Sequence, residues 1–338
     1  MAWMIYGANG YTGELVARLA VSRGERPVLA GRNAAAIGAL ATGLGLDAMV
    51  VDLADTKALH AALEQVDAVA HCAGPFARTA RPMVDACLAT RTHYLDVTGE
   101  PEVFEAVLAR DAEAAAAGIT LLTGGGYDVV PTDCLAAMLA AELPDATSLE
   151  IAFRAGGGLS RGTALTALDI STGGALRRVD GKLVRGPLGV PSREVTFGTK
   201  TRTVGAITWG DVVTAYHSTG IGTITVLSSV PKATLGLKLL RFAPFRALAA
   251  RAVRRGAAGP SAQVRAATKV EICAAVRSPT GARRGLLTGP NGYDITADAV
   301  VREIPLLATA KPGAHTPATA FGPDFVRSLD GITVTLLP

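Results

Sequence analysis

A glycine-rich segment near the start of the chain could hold the phosphates of a dinucleotide. It lies between an apolar run, residues 1–6, and a helix-like stretch, residues 14–23, and it reads Gly7, Ala8, Asn9, Gly10, Tyr11, Thr12 and Gly13. In a strand–turn–helix context the first glycine permits the turn, the second lets the backbone approach a pyrophosphate, and the third allows close helix–strand packing. The helix dipole then favours the phosphate charge. We therefore predict cofactor binding by this segment, with a purely structural glycine turn as the alternative.

The residues after the second predicted strand indicate which dinucleotide binds. An NAD site usually has an acidic residue about 20 residues after the glycines, where it binds the ribose 2′-hydroxyl. This chain has Arg32 and Asn33 at that place, and a guanidinium can form a bidentate contact with a 2′-phosphate. We therefore predict NADP, and we add Asp52, after the third strand, to its site. The alternative for Arg32 is an ordinary solvated arginine.

Ligands of doubly wound sheets lie beyond the carboxyl ends of the strands, and two further clusters follow predicted strands there. After the fourth strand, small residues would let the backbone run along the cofactor and larger ones would wall its ring: Ala73, Gly74, Pro75 and Phe76. An ordinary strand-to-helix turn explains that cluster equally well. After the fifth strand, the loop residues Thr98, Gly99 and Glu100 are predicted to line the substrate pocket.

A third cluster follows the sixth predicted strand, where residues 124–133 read Gly-Gly-Gly-Tyr-Asp-Val-Val-Pro-Thr-Asp. Three glycines allow a ligand to approach the backbone closely. Tyr127 and Asp128 lie in the loop, where either could donate a proton or anchor the substrate. Asp133 lies in the first turn of the next predicted helix, where it complements the dipole.

Absent motifs narrow the reaction. No tyrosine is followed four residues later by lysine, and no serine lies in a nucleophile-elbow sequence. The histidines and cysteines have no metal-ligand spacing, so no metal site is expected. Hydride transfer to a substrate bound between two domains is the chemistry that remains.

The elements that would position these residues alternate between strand and helix in the first third of the chain. Strands are predicted at residues 3–6, 27–30, 48–51, 68–71, 93–97 and 119–123. Helices are predicted at residues 12–22, 34–44, 56–65, 82–90 and 103–117. This rhythm predicts an α/β fold with a doubly wound parallel sheet of the Rossmann type.

Past Pro144 the chain changes to Thr- and Val-rich runs punctuated by Gly and Pro, at residues 148–155, 194–197, 201–207, 221–228, 264–276 and 283–287. These runs predict a second α+β domain with a largely antiparallel sheet. A helix is predicted at residues 293–310 and a last strand at residues 331–336. We expect a cofactor domain at 1–130, a substrate or oligomerisation domain at 131–292, and a return of 293–338 to the first domain.

Composition excludes several classes of protein. The 49% of apolar and 18% of charged residues exclude a disordered chain, and a scattered net charge of +4 gives no reason to expect nucleic-acid binding. Four distant cysteines and the absence of a signal peptide before the first strand favour a reduced, cytoplasmic protein. The apolar and basic segment 235–255 is either an amphipathic helix on its own domain or a contact with a membrane or acidic carrier protein. The oligomeric state stays open, with a homodimer as one option.

Taken together, these motifs resemble the saccharopine dehydrogenase-like oxidoreductases, and most closely their trans-acting enoyl reductase branch. The resemblance rests on residues 7–13, 74–76, 92–100 and 126–133, and it continues through residues 259–265, 292–297 and 316–322. It implies NADP, a Rossmann domain with a second mixed domain, and reduction of a C=C or C=N bond. It also implies that Tyr127, Asp128 and Asp133 lie near the substrate.

Three functions stay open at this point. The first is NADPH-dependent reduction of an α,β-unsaturated acyl or polyketide-like substrate, free or bound to a carrier. The second is imine reduction of the saccharopine type, which needs cations for the substrate carboxylates, such as Arg154, Arg161 and Arg177. The third is an NADP-dependent sensor or scaffold without catalysis.

Overall fold

The computed structural model describes residues 1–171, 173–229 and 242–337, and the chain divides into two compact units. The first unit comprises Met1–Val130 and Gly292–Asp330, and the second comprises Pro131–Asn291 and Gly331–Pro338. The predicted return to the first unit therefore ends at residue 330, because the last strand belongs to the second unit. Residues 235–241 of the predicted amphipathic segment lie outside the described residues.

The strands and helices are numbered in chain order through the described residues. The strands are β1 Trp3–Tyr6, β2 Val28–Gly31, β3 Ala48–Val50, β4 Ala68–His71, β5 His93–Asp96, β6 Thr120–Leu122, β7 Ser148–Arg154, β8 Ala175–Val179, β9 Lys182–Gly186, β10 Ser192–Phe197, β11 Lys200–Ala206, β12 Thr223–Ser228, β13 Val270–Ser278, β14 Gly281–Gly289, β15 Gly313–His315 and β16 Thr333–Leu337. The helices are α1 Tyr11–Ser22, α2 Ala34–Leu44, α3 Thr56–Leu63, α4 Phe76–Thr90, α5 Pro101–Leu108, α6 Asp111–Ala117, α7 Val130–Glu142, α8 Arg161–Ser171, α9 Asp211–Thr219, α10 Ala243–Arg255, α11 Ala262–Ala266, α12 Gly292–Glu303 and α13 Pro317–Phe321.

The first unit is built on a seven-stranded parallel sheet in the order β15-β6-β5-β4-β1-β2-β3. Every residue of β1 and β4 is buried, as expected for parallel strands covered on both faces. Successive residues of a strand point to opposite faces, and accordingly Met4 and Ile5 belong to separate core clusters. The predicted doubly wound fold is confirmed.

Two helices of this unit differ from their predicted bounds. α4 begins at Phe76 rather than at Pro82, which lies inside the helix. The predicted helix 103–117 is two helices, α5 and α6, with the break at Ala109 and Arg110. The short strand β15 was not predicted. It pairs with β6, and the paired residues are almost 200 positions apart in the sequence.

The second unit is built on a nine-stranded sheet whose main path is β10-β11-β12-β7-β13-β14-β16, with β8 paired to β12 and β9 paired to β8. Its pairs are antiparallel except for β7 with β12, which confirms the largely antiparallel sheet. The predicted strand 264–276 is partly helical, because the Ser261 hydroxyl caps α11 before β13 begins. The final strand β16 pairs with β14.

Among the described residues, no helix is both long enough and apolar enough to cross a membrane.

Candidate functional site

Gly7 turns the chain from β1 into the predicted cofactor segment. Its φ is +82°, and a β-carbon there would lie 2.8 Å from Cβ of Ala73, so only glycine fits. The Gly7 N–H donates to the Ala30 carbonyl at 2.8 Å, and the Gly10 N–H donates to the Gly7 carbonyl at 2.9 Å. These hydrogen bonds hold the turn at the carboxyl ends of β1 and β2.

The start of α1 fits a phosphate group. Gly10 precedes the helix in an extended conformation, with φ −81° and ψ 163°, and no side chain caps the helix. The first N–H groups of such a helix are natural partners for an anion. A β-carbon at Gly10 would meet one protein atom within 4 Å, the Gly7 carbonyl oxygen at 3.1 Å, so this glycine leaves the space before the helix open.

Gly13 has a different role from Gly10. A β-carbon at Gly13 would lie 2.5 Å from the Gly7 carbonyl oxygen and 2.8 Å from Cα of Ala8. This glycine therefore permits the close packing of α1 on the turn, as its position in the motif predicts. The residues of this segment fit a dinucleotide.

Arg32 lies exposed at the end of β2, where a 2′-phosphate contact requires it. No described acidic side chain pairs with its guanidinium. Burial raises the pKa of the Tyr6 hydroxyl, and the negative charge of Asp52 raises it further. The positive charge of Arg32 lowers this pKa, so both Arg32 and Asp52 lie near Tyr6. The contact of Arg32 with a 2′-phosphate stays a prediction.

Two neighbours of Arg32 have local partners. The Asn33 side chain caps α2 by accepting a hydrogen bond from the Ala36 N–H at 3.1 Å. The Asp52 carboxylate accepts from the Ala54 N–H at 2.9 Å. Their contacts with a cofactor stay predictions.

The Glu100 carboxylate binds the backbone at the start of α4. Its oxygens accept hydrogen bonds from the N–H groups of Phe76 at 3.0 Å and Ala77 at 2.8 Å, and a carboxylate is stabilised at a helix N-terminus. The loops 73–76 and 98–100, predicted to bind the cofactor and the substrate, therefore lie side by side. The predicted contact of Glu100 with a substrate stays a prediction.

Asp96, at the end of β5, is a residue of this region that the sequence analysis missed. Its carboxylate accepts hydrogen bonds from the N–H groups of Thr98 at 3.0 Å and Gly124 at 2.9 Å and from the Tyr94 hydroxyl at 2.9 Å. Burial raises its pKa to about 6, although these hydrogen bonds lower it. Asp96 joins the loop after β5 to the loop after β6. The signal available in the sequence was a charged residue inside a predicted apolar strand.

The glycines at 124–126 make room for protein side chains, which corrects the expectation that they admit a ligand. A β-carbon would lie 2.6 Å from Cγ2 of Val129 at position 124 and 3.0 Å from Cγ2 of Thr296 at position 126. At position 125 it would collide with the Glu303 carboxyl. Thr296 and Glu303 both belong to α12, so this helix shapes the loop.

Tyr127 and Asp128 lie partly exposed between β6 and α7. The Tyr127 N–H donates to the Thr296 hydroxyl at 3.0 Å. The Asp128 carboxyl lies against Gly99, where a β-carbon would come within 2.5 Å of Oδ2. Burial raises the pKa of Asp128 to about 7. A carboxyl with this pKa is partly protonated at neutral pH and can act as a proton donor.

The other predicted residues are placed as follows. Thr98 is buried, and its hydroxyl accepts a hydrogen bond from the Glu100 N–H at 3.1 Å. Tyr11 packs edge-to-face on Tyr293 of α12 with ring centroids 4.9 Å apart. In the second unit, buried Asp133 accepts a hydrogen bond from the Ser218 hydroxyl at 2.6 Å. Within the described residues, no cluster of three or more His, Cys, Asp or Glu side chains could hold a metal ion.

The fold and the glycine turn define a Rossmann dinucleotide-binding protein. Residues 3–122 match the family described as the saccharopine dehydrogenase NADP binding domain. This match covers about a third of the chain, and for that domain it confirms the resemblance and the predicted NADP cofactor.

Similar proteins match parts of the chain in sequence and the whole of it in fold. A trans-acting enoyl reductase of Mycobacterium leprae is 33% identical over 138 residues, 38% of this chain and 33% of that protein. A saccharopine dehydrogenase-like oxidoreductase of Mus musculus is 26% identical over 150 residues, 38% of this chain and 35% of that protein. The chain thus spans about a third of the length of these relatives. The apo saccharopine dehydrogenase (L-Glu forming) of Saccharomyces cerevisiae shares the fold, with TM-score 0.65, 14% identity and coverage of 100% of both chains.

We expect Arg32→Ala to weaken the binding of NADPH far more than that of NADH. A lost charge-assisted contact costs about 1.5–3 kcal/mol, or roughly tenfold to a hundredfold in affinity. Titration of both cofactors by fluorescence would measure the two dissociation constants. Arg91→Ala, another exposed arginine of the same unit, is the control that should leave both unchanged. Equal affinity of the wild type for the two cofactors would contradict the role of Arg32.

A second prediction concerns Glu303, whose carboxyl oxygens are buried and accept no hydrogen bond from the described residues. Burial raises its pKa from 4.5 to about 8, and the charge of Asp96 adds to the rise. Between these values the unfolded chain releases a proton that the folded chain keeps, so stability is lost as the pH rises. Glutamine stays neutral, so Glu303→Gln should gain stability relative to the wild type from pH 5 to pH 8.5.

Thermal melts at pH 5, 7 and 8.5 would measure this difference. The Tm of Glu303→Gln should rise relative to that of the wild type as the pH increases. Glu64→Gln removes an exposed carboxylate and is the control, whose Tm difference from the wild type should not change with pH. A gap that stays constant over this range would show that Glu303 is ionised in the folded protein at neutral pH.

Proposed function

We propose that this chain is an NADPH-dependent reductase of an α,β-unsaturated acyl substrate. The proposal rests on the NADP-binding domain and on the Asp128 carboxyl, which lies against Gly99 in a strand-end loop of the same sheet and whose pKa burial raises to about 7. NADPH supplies the hydride when it is bound. The chain's own residues then need to hold the cofactor and to deliver one proton.

The proposal assigns the following roles to the residues. The α1 N-terminus binds the pyrophosphate, and Arg32 binds the 2′-phosphate. Hydride addition to the β-carbon of an enoyl thioester leaves an enolate, whose α-carbon takes up a proton. Asp128 supplies that proton or holds the group that does, and Tyr127 orders the same loop through its backbone contact with Thr296.

The choice of an acyl substrate over an imine is supported by the arginines of the second unit. Arg154 forms an ion pair with Glu271 at 2.7 Å, and Arg161 donates to the Gly256 carbonyl at 2.8 Å. Among the described residues these contacts leave Arg177 as the one of the three candidates without such a contact, and a single arginine is a weak basis for holding the carboxylates of an amino-acid substrate. The name of the mycobacterial relative supports the same choice.

A panel of substrates tests the proposal. NADPH oxidation at 340 nm would be followed with a crotonyl thioester, with a 2-oxo acid plus an amine, and with neither. We expect oxidation with the thioester alone. Oxidation with the 2-oxo acid and amine would establish imine reduction, and binding of NADPH without oxidation in any mixture would favour a sensor or scaffold.

A further inference from the structure

α10 in the second unit has an exposed face that combines large apolar and basic side chains. Phe242, Phe245 and Leu248 lie within seven residues of one another, and their exposed fractions are 60%, 45% and 66%. The less exposed residues Arg246, Ala249, Ala250 and Val253 recur at helical spacing, and α10 packs against α8. The helix is thus fixed to its unit by one side and presents the other to solvent.

The basic residues of this face have no acidic partner within the described chain. Arg251, Arg254 and Arg255 are exposed and form no ion pair or hydrogen bond with any described residue. Elsewhere in the protein, arginines such as Arg110, Arg193 and Arg302 form ion pairs. The cations on α10 are therefore available to an external anionic surface.

The surrounding sequence has the same charge bias. No aspartate or glutamate occurs between Asp211 and Glu271, and the basic residues in that interval are Lys232, Lys238, Arg241, Arg246, Arg251, Arg254, Arg255, Arg265 and Lys269. Because the whole chain has a net charge of only +4, the rest of it is net acidic. The positive charge of this protein is concentrated in one segment.

We propose that the exposed face of α10, formed by Phe245, Leu248, Arg251, Arg254 and Arg255 together with Phe242 just before the helix, docks the protein on an anionic membrane surface. Apolar side chains at the N-terminal end of this face and arginines at its C-terminal end suit a helix whose N-terminal end enters the acyl boundary while the arginines stay at the headgroups. A fluid lipid surface accepts three large apolar side chains without a shaped pocket for each. A folded acidic protein would need such pockets, so the lipid surface is the favoured partner.

Vesicle co-sedimentation of the full chain tests this inference. We expect binding to vesicles of phosphatidylglycerol and phosphatidylcholine in 100 mM NaCl, little binding to phosphatidylcholine alone, and a steep loss at 500 mM NaCl. Each basic residue near an anionic surface is worth about fivefold in partitioning. The triple variant R251Q/R254Q/R255Q should therefore bind roughly a hundredfold more weakly.

Two further variants test whether vesicle binding depends on the residues at the α10 face or only on the total positive charge of the protein. Phe245→Ser with Leu248→Ser removes apolar contact and keeps the charge, and it should weaken binding at least tenfold. The control K182Q/K200Q/R202Q removes the same charge from exposed residues of the same unit outside this helix and should leave binding near wild type. The circular dichroism spectrum and the NADPH affinity should be unchanged in all three multiple variants, which would show that their fold is intact.

Other outcomes would overturn the inference. The first is that the wild type does not bind anionic vesicles. The second is that the control triple variant loses as much vesicle binding as R251Q/R254Q/R255Q. The third is that the protein binds a purified acidic acyl carrier protein and does not bind vesicles. The inference is independent of the proposed function, because vesicle binding is measured without substrate.

Discussion

A Gly10→Val variant should lose NADPH binding by at least a hundredfold while keeping its fold. The branched side chain would stand before the α1 N-terminus, where the pyrophosphate takes its hydrogen bonds, and two lost contacts to charged groups account for that factor. The protein itself offers room, because the nearest atom to a β-carbon is the Gly7 oxygen at 3.1 Å. Calorimetric titration with NADPH would measure the loss, and the melt of the cofactor-free protein should move by only a few degrees.

Gly13→Val is the matched comparison for that variant. Its β-carbon would come within 2.5 Å of the Gly7 carbonyl oxygen, so the cost falls on packing and the cofactor-free protein should melt well below the wild type. Gly10→Val with NADPH affinity near wild type would mean that the glycine turn is structural.

Asp128→Asn should lower turnover about 10²–10⁴-fold, the usual contribution of general acid catalysis, with NADPH affinity near wild type. Tyr127→Phe keeps the backbone contact with Thr296 and removes only the hydroxyl, and we expect it to lower turnover at least tenfold because that hydroxyl takes part in proton delivery. Because burial raises the pKa of Asp128 to about 7, the wild-type rate should fall as the pH rises above that value. Steady-state rates from pH 5.5 to 9 with the substrate that the panel identifies would measure both effects.

Glu102→Gln, a surface carboxylate of the first turn of α5, is the control and should keep both the rate and the pH profile. Normal turnover in both loop variants would mean that the loop only shapes the pocket and that the proton comes from water or substrate. Loss of the fold in both variants would mean that the residues are structural.

The cofactor turn could be predicted because its determinants are local. β1, the glycines and α1 follow one another within 22 residues, and Gly10 and Gly13 act on atoms only a few positions away, although Gly7 also makes room for the distant Ala73. The parallel strands were predicted to within two residues because burial on both faces makes them short, continuous apolar runs. The same locality explains the prediction of Arg32 from its place after β2.

The contacts that shape the rest of the site are distant in sequence. Glu100 caps a helix that begins 24 residues earlier, and Gly125 and Gly126 make room for side chains of α12, about 170 residues later. A run of three glycines indicates crowding but does not say whether a ligand or a protein side chain causes it. The hairpin of β8 and β9 was missed because each strand carries two basic residues and neither has the apolar–polar alternation of a half-buried strand.

Transfer of deuterium from the nicotinamide to an acyl product tests the central claim most directly. The wild type would be incubated with a crotonyl thioester and NADPH deuterated at C4 on each face in turn, and the product would be analysed by mass spectrometry. We predict a saturated thioester one mass unit heavier with one of the two labelled cofactors, with the label on the β-carbon. A saturated product without label from either cofactor, or an unchanged crotonyl thioester beside bound NADPH, would contradict the account.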